Sequence, residues 1–84
     1  MITQEIILRN QEGLHARPAT EIAKNALKYN CDIKFDVNGT QYNAKSVLNI
    51  MSAGIKNDTK LKIICDGQDE EVVLKNILDI LSHK

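Results

Sequence analysis

Asp32-Ile33-Lys34-Phe35-Asp36-Val37-Asn38-Gly39-Thr40-Gln41-Tyr42-Asn43-Ala44 carries the plainest structural pattern in the chain. Ile33, Phe35 and Val37 alternate with Asp32, Lys34 and Asp36, so an extended chain here is apolar on one side and charged on the other. Asn38-Gly39 stands where a type I′ turn needs two residues with positive φ, and the chain returns through Thr40, Tyr42 and Ala44. This is a hairpin with one dry face and one wet face.

The same asymmetry recurs to either side. Ile2, Ile6 and Leu8 share a parity with Gln4, while Thr3, Glu5 and Arg9 fall on the other and Ile7 breaks the pattern. Leu61, Ile63 and Cys65 alternate with Lys60, Lys62 and Ile64, after which Asp66-Gly67 is expected to turn. Between the strands the period changes. Ala19, Ile22, Ala23, Ala26 and Leu27 form the stripe of an amphipathic helix, with Glu21, Lys24, Asn25 and Lys28 opposite. A short helix follows, with Ser46 as N-cap, Val47, Leu48, Ile50 and Met51 as apolar positions and Gly54 as the terminating glycine. A last helix opens with Asp69, Glu70 and Glu71, carries Val73, Leu74, Ile77, Leu78, Ile80 and Leu81, and closes with His83 and Lys84, a charge order that suits its dipole.

The order is therefore β-α-β-β-α-β-α. A sheet with one wet face needs only one covering layer. The expectation is an α+β, two-layer, open-faced β-sandwich: a four-stranded sheet covered on one face by three helices, as a single domain over residues 1–84.

Composition narrows the function. Eleven basic and eleven acidic residues give a formal net charge of zero, and aromatics make up 4% with no Trp. Nucleic acid is thus not an expected partner, since neither a phosphate-binding charge nor stacking platforms are provided. The aliphatic run Ile6-Ile7-Leu8 is too short to enter a bilayer, and Met1-Ile2-Thr3-Gln4-Glu5 lacks the basic start of a signal peptide, so a cytoplasmic protein without membrane insertion is expected. Cys31 and Cys65 show no Cys-x-x-Cys spacing and are read as free thiols. No metal or cofactor is expected, and the absence of a Gly-x-x-x-x-Gly-Lys loop argues against self-phosphorylation from a nucleotide.

Gly13-Leu14-His15-Ala16-Arg17-Pro18-Ala19-Thr20 is the segment that could carry chemistry. Pro18 belongs in a first helical turn, where its missing N–H has no intrahelical acceptor, and this puts His15 at the N-terminus of the first helix. A neutral imidazole nitrogen is nucleophilic near pH 7, free N–H groups at a helix start suit an anion, and Arg17 adds a planar fork for phosphate. By residue type alone the plainer reading stands first: an exposed loop histidine beside a solvated arginine. Ser46, likewise, is sufficiently explained as an N-cap.

The octet resembles the active-site signature of the HPr family, the histidine-containing phosphocarriers of the bacterial phosphoenolpyruvate-dependent sugar phosphotransferase system. Ala44-Lys45-Ser46-Val47-Leu48-Asn49-Ile50-Met51-Ser52-Ala53-Gly54 is similar to that family's serine-site signature. The resemblance spans essentially the whole chain. It implies a non-enzymatic, monomeric phosphoryl carrier in which His15 is phosphorylated on Nδ1 and Arg17 steadies the phosphoryl group. It further implies that His15 is charged by phosphorylated enzyme I and discharged to sugar-specific IIA domains. Ser46 matches a serine phosphorylated by an HPr serine kinase, a modification that recruits a catabolite-control transcription factor.

Val47, Leu48, Ile50 and Met51 exceed what one buried stripe of a two-turn helix hides, so at least one is expected to face solvent beside His15, with Leu48 and Met51 the candidates. Thr20, Lys24, Val47, Leu48 and Met51 are the candidate partner-binding residues, with Arg17, Lys24, Lys28 and Lys45 as a basic rim. Two departures from the family pattern are notable. Glu12 brings a negative charge close to the site, and Asn49 stands where many relatives have glycine. The competing readings are a regulatory member of the same family that transfers nothing, and a small ligand- or metal-binding domain; intact His15 and Arg17 weigh against the first, and the lack of paired ligands against the second.

Overall fold

The computed structural model describes residues 1–82. Its elements are β1 (Ile2–Ile7), α1 (Ala16–Lys28), β2 (Cys31–Val37), β3 (Thr40–Asn43), α2 (Val47–Ser52), β4 (Lys60–Gly67) and α3 (Glu70–Ser82). The four strands form one sheet in the order β1-β4-β2-β3, and every neighbouring pair is antiparallel. The expected α+β sandwich is thus the observed one.

Register follows from parity. Ile33 lies opposite Cys65 and Phe35 opposite Ile63 across β2 and β4, while Ile6 faces Leu61 across β1 and β4. Their dry face meets α1, α2 and α3 in a core that includes Phe35, Ile22, Ile33, Ile50, Leu61, Ile63, Val73 and Ile77. Full burial of each such side chain contributes about 1.5–3 kcal/mol. Thr3, Lys34, Asp36, Lys62 and Asp66 share the opposite, solvent-facing side. β1 is an edge strand packed by α3, and its Ile2 and Ile6 are only half-buried.

The local signals are realised closely. Asn38 and Gly39 have φ of 54° and 86°, the positive pair that the turn requires. The Ser46 side chain accepts from the Asn49 N–H at 3.2 Å and caps α2. Gly54, at φ 62°, follows the last helical turn.

Two expectations are corrected. Leu27 is 68% exposed, whereas Ala19, Ile22, Ala23 and Ala26 are buried. At 100° per residue Leu27 stands about 90° from the centre of that stripe, and small alanines let the helix approach closely along a narrow line. Asp66 and Gly67 do not turn but end β4, paired with Asp32 and Cys31. The chain passes so close to β2 that a Cβ on Gly67 would lie 2.7 Å from the Asn30 carbonyl oxygen and from Cys31 Cα; the glycine serves close approach, and the turn falls after it. His83 and Lys84, expected to close the last helix, lie outside the described residues. Among the described residues, no helix is long and apolar enough to cross a membrane.

Candidate functional site

The site begins in the loop between β1 and α1, which is tied to the segment before β4. Leu8 N–H donates to the Thr59 carbonyl at 2.9 Å, and Asp58 N–H donates to the Leu8 carbonyl at 2.7 Å. The Arg9 guanidinium pairs with the Asp58 carboxylate. Asn10 N–H donates to Asn57 Oδ1 at 3.0 Å. Leu14, itself buried, donates its N–H to the Ile55 carbonyl at 2.9 Å.

Asn10 then shapes the turn. Its side-chain oxygen accepts from the Glu12 N–H at 3.0 Å, and its carbonyl accepts from the Gly13 N–H at 2.9 Å. This is the local Asx geometry by which asparagine substitutes for a backbone turn. Gly13 has φ +70°, and a Cβ there would meet the Ile55 carbonyl oxygen at 2.9 Å. Both facts call for glycine.

His15 follows as the N-cap of α1, with φ −92° and ψ −168°, and its carbonyl accepts from the Ala19 N–H at 3.1 Å. Its side chain makes no capping bond, so the ring is free for other work. The ring is 42% exposed, and its Nε2 lies 2.9 Å from Glu12 Oε2. Asn10, Glu12, His15, Arg17, Pro18, Glu21 and Ile80 line a shallow surface concavity. Arg17 is exposed and makes no ion pair among the described residues. The concavity therefore offers a half-exposed imidazole, a guanidinium and the start of a helix, a set of groups suited to an incoming dianion.

The remaining candidates lie on α1, on α2 and in the segment before α2. Thr20 is half-buried and its hydroxyl donates to the Ala16 carbonyl at 2.7 Å, within the first turns of α1. Lys24 and Lys28 are exposed on α1 but outside the lining of the concavity. Lys45 Nζ lies 4.0 Å from Asp32 and is likewise absent from that lining. The charged neighbours of His15 and Arg17 in the concavity are instead Glu12 and Glu21. On α2, which packs against α1, Leu48 is 80% and Met51 44% exposed, Ile50 is fully buried and Val47 is half-buried.

Asn10, Glu21 and Ile80 were not expected at the site, nor was the link made by Asn49, whose Oδ1 accepts from the Asn43 N–H at 2.8 Å and joins α2 to β3. Asn10 carried a signal, because Asn-x-Glu-Gly is turn chemistry. Glu21 and Ile80 carried none. Cys31 and Cys65 are free, buried thiols. Burial pushes both upward in pKa; for Cys65, with the neighbouring Cys31 adding to the effect, the value reaches about 12. Among the described residues no group of three or more His, Cys, Asp or Glu could hold a metal ion.

Residues 2–83 match the PTS-HPr family model, described as the PTS HPr component phosphorylation site. Solved structures agree. The chain is 35% identical to the histidine-containing phosphocarrier protein of Mycoplasma, over 94% of this chain and 90% of that one, with a TM-score of 0.88. It is 34% identical to an HPr of Thermoanaerobacter tengcongensis, over 96% and 91% of the two chains, with a TM-score of 0.89. It is 28% identical to the phosphocarrier protein HPr of Bacillus anthracis, over 96% of each chain, with a TM-score of 0.89.

Proposed function

The chain belongs to the HPr family of phosphotransferase-system phosphocarriers, proteins that carry a phosphoryl group without being enzymes; from that premise we propose that His15 is the carrying residue, accepting on Nδ1 from phosphorylated enzyme I and delivering to IIA domains. The observation that carries the reading is the placement of His15: a half-exposed ring at the first turn of α1, with Arg17 in the same concavity.

The chemistry suits those groups. Nδ1 supplies the electron pair that attacks phosphorus, and the bond to the donor breaks with its pair leaving on the donor. Arg17 and the first-turn N–H groups of α1 hold the phosphoryl oxygens through charge-assisted bonds worth about 1.5–3 kcal/mol each. Such holding orients the group without trapping it. The site is shallow, which lets one ring serve a larger donor and a larger acceptor in turn.

Ser46 is a second modification site in this reading. A phosphate on an N-cap serine meets the positive end of α2, so a serine kinase would alter the charge presented to partners rather than unfold the helix. Recruitment of a catabolite-control transcription factor would act through that charge. Leu48 and Met51, together with Val47, Thr20 and Lys24, form the proposed docking surface for enzyme I and IIA domains. Incubation with phosphoenolpyruvate, magnesium and enzyme I should yield an acid-labile, base-stable phosphate; a protein that stays unlabelled under conditions where a known carrier is labelled would overturn the assignment.

A further inference from the structure

Glu12 lies within hydrogen-bond distance of the nitrogen that the proposed chemistry does not use. A carboxylate only accepts, so the 2.9 Å contact between Glu12 Oε2 and His15 Nε2 requires the hydrogen on Nε2 and, in the neutral ring, leaves the Nδ1 pair free. Glu12 is itself held in place: its N–H is bound by Asn10 Oδ1 at 3.0 Å, and Gly13 behind it is fixed by the Asn10 carbonyl at 2.9 Å and by its close approach to Ile55. The contact thus joins two anchored backbone positions three residues apart, unlike a chance meeting of two long surface chains.

We propose that Glu12 is a positioning residue, which selects the Nε2–H tautomer of His15 and orients the ring so that Nδ1 faces the incoming phosphoryl group. The inference rests on His15 being the carrier. In the Nε2–H form, transfer needs no proton to leave the ring. The Nδ1 pair forms the new bond to phosphorus, the donor's bond to phosphorus breaks with its pair remaining on the donor, and Nε2 keeps its hydrogen. The ring becomes a phosphoimidazolium cation, and the Glu12 carboxylate stands against that positive charge. On delivery the Nδ1–P bond breaks, its pair returns to Nδ1, and the starting tautomer is restored. The carboxylate stands at the other edge of the ring from the phosphate.

The test reads the ring directly. In 15N-labelled full-length protein at about pH 8.5, well above the ordinary histidine value, the two ring-nitrogen shifts report the tautomer ratio. Wild type should be dominated by Nε2–H. Glu12→Ala should lower the ratio of Nε2–H to Nδ1–H by about two- to five-fold, the range an exposed interaction of this kind supports. Glu12→Gln, which retains an acceptor oxygen but no charge, should restore most of it, and backbone amide spectra show that each variant is folded. An unchanged ratio in Glu12→Ala overturns the proposal. Labelling from enzyme I separates the two claims: if the tautomer shifts as expected but wild type accepts no phosphate, the carrier reading fails and the Glu12–His15 bond stands; if wild type is labelled and the tautomer ratio ignores Glu12, the positioning role fails alone.

Discussion

Gly13 lies against Ile55 so tightly that a Cβ would stand 2.9 Å from the Ile55 carbonyl oxygen, and the next residue, Leu14, donates its N–H to that same oxygen at 2.9 Å. The position of His15 is thereby set by contacts with a segment some forty residues away in sequence. Gly13→Ala faces both a left-handed φ and a collision with backbone, and should cost about 1–3 kcal/mol of stability. Urea unfolding measures the loss, and labelling by enzyme I should fall in the fraction that remains folded because the loop has moved.

Ser46→Ala removes the acceptor that binds the Asn49 N–H and should destabilise the protein by about 0.5–2 kcal/mol. Ser46→Asp supplies another acceptor and a charge at the helix start, so its stability should stay close to wild type. Thermal unfolding of the three proteins checks the order. Phosphorylation of His15 should persist in both variants, and their affinities for partners should diverge.

Neighbouring apolar positions of α2 should behave oppositely. Ile50 is fully buried and Leu48 is 80% exposed. Ile50→Ala should cost about 2–5 kcal/mol through the cavity it leaves. Leu48→Ala should change stability by no more than about 0.5 kcal/mol while weakening binding to enzyme I, which calorimetry or surface-based binding can measure. Tight binding by Leu48→Ala would remove that residue from the docking surface.

The buried thiols set a pH dependence. Burial holds the Cys65 thiol protonated up to about 12 in the folded protein, whereas the unfolded chain ionises nearer the ordinary cysteine value of about 8.5. The folded state therefore binds this proton more tightly. Its contribution to stability is complete below about 8.5 and is lost as pH rises from there toward the folded value. Chemical unfolding at stepped alkaline pH should show the decline, reduced in Cys65→Ala relative to wild type. Alkylation of the native protein near neutrality should be slow and should become fast on unfolding.

Period and turn chemistry made most of the architecture legible: the alternation from Asp32 to Val37, the Asn38-Gly39 turn and the Ser46 cap each needed only local rules. Leu27 misled because helical spacing locates a stripe without fixing how wide the buried part is; alanines narrowed it. Asp66-Gly67 misled because a glycine required for close approach to Cys31 has the same spelling as a turn. At the site, His15, Arg17 and Pro18 could be read as a helix start beside a basic fork. Glu12 could be seen as a nearby charge, but its contact with Nε2 depends on a ring rotamer and on the loop held by Asn10 and Ile55. Glu21 lines the concavity beside Arg17 because both lie near the start of α1, whereas Glu12 reaches it from the preceding loop.

The imidazole of His15 is the group we propose carries the phosphoryl. Phosphorylation of 15N-labelled protein by phosphoenolpyruvate, magnesium and enzyme I, followed by 31P and 15N NMR, identifies the bonded atom. Coupling of phosphorus to Nδ1 of His15, with no signal from His15→Ala, is the predicted result. A phosphate that persists in His15→Ala, or one attached to Nε2, would contradict it.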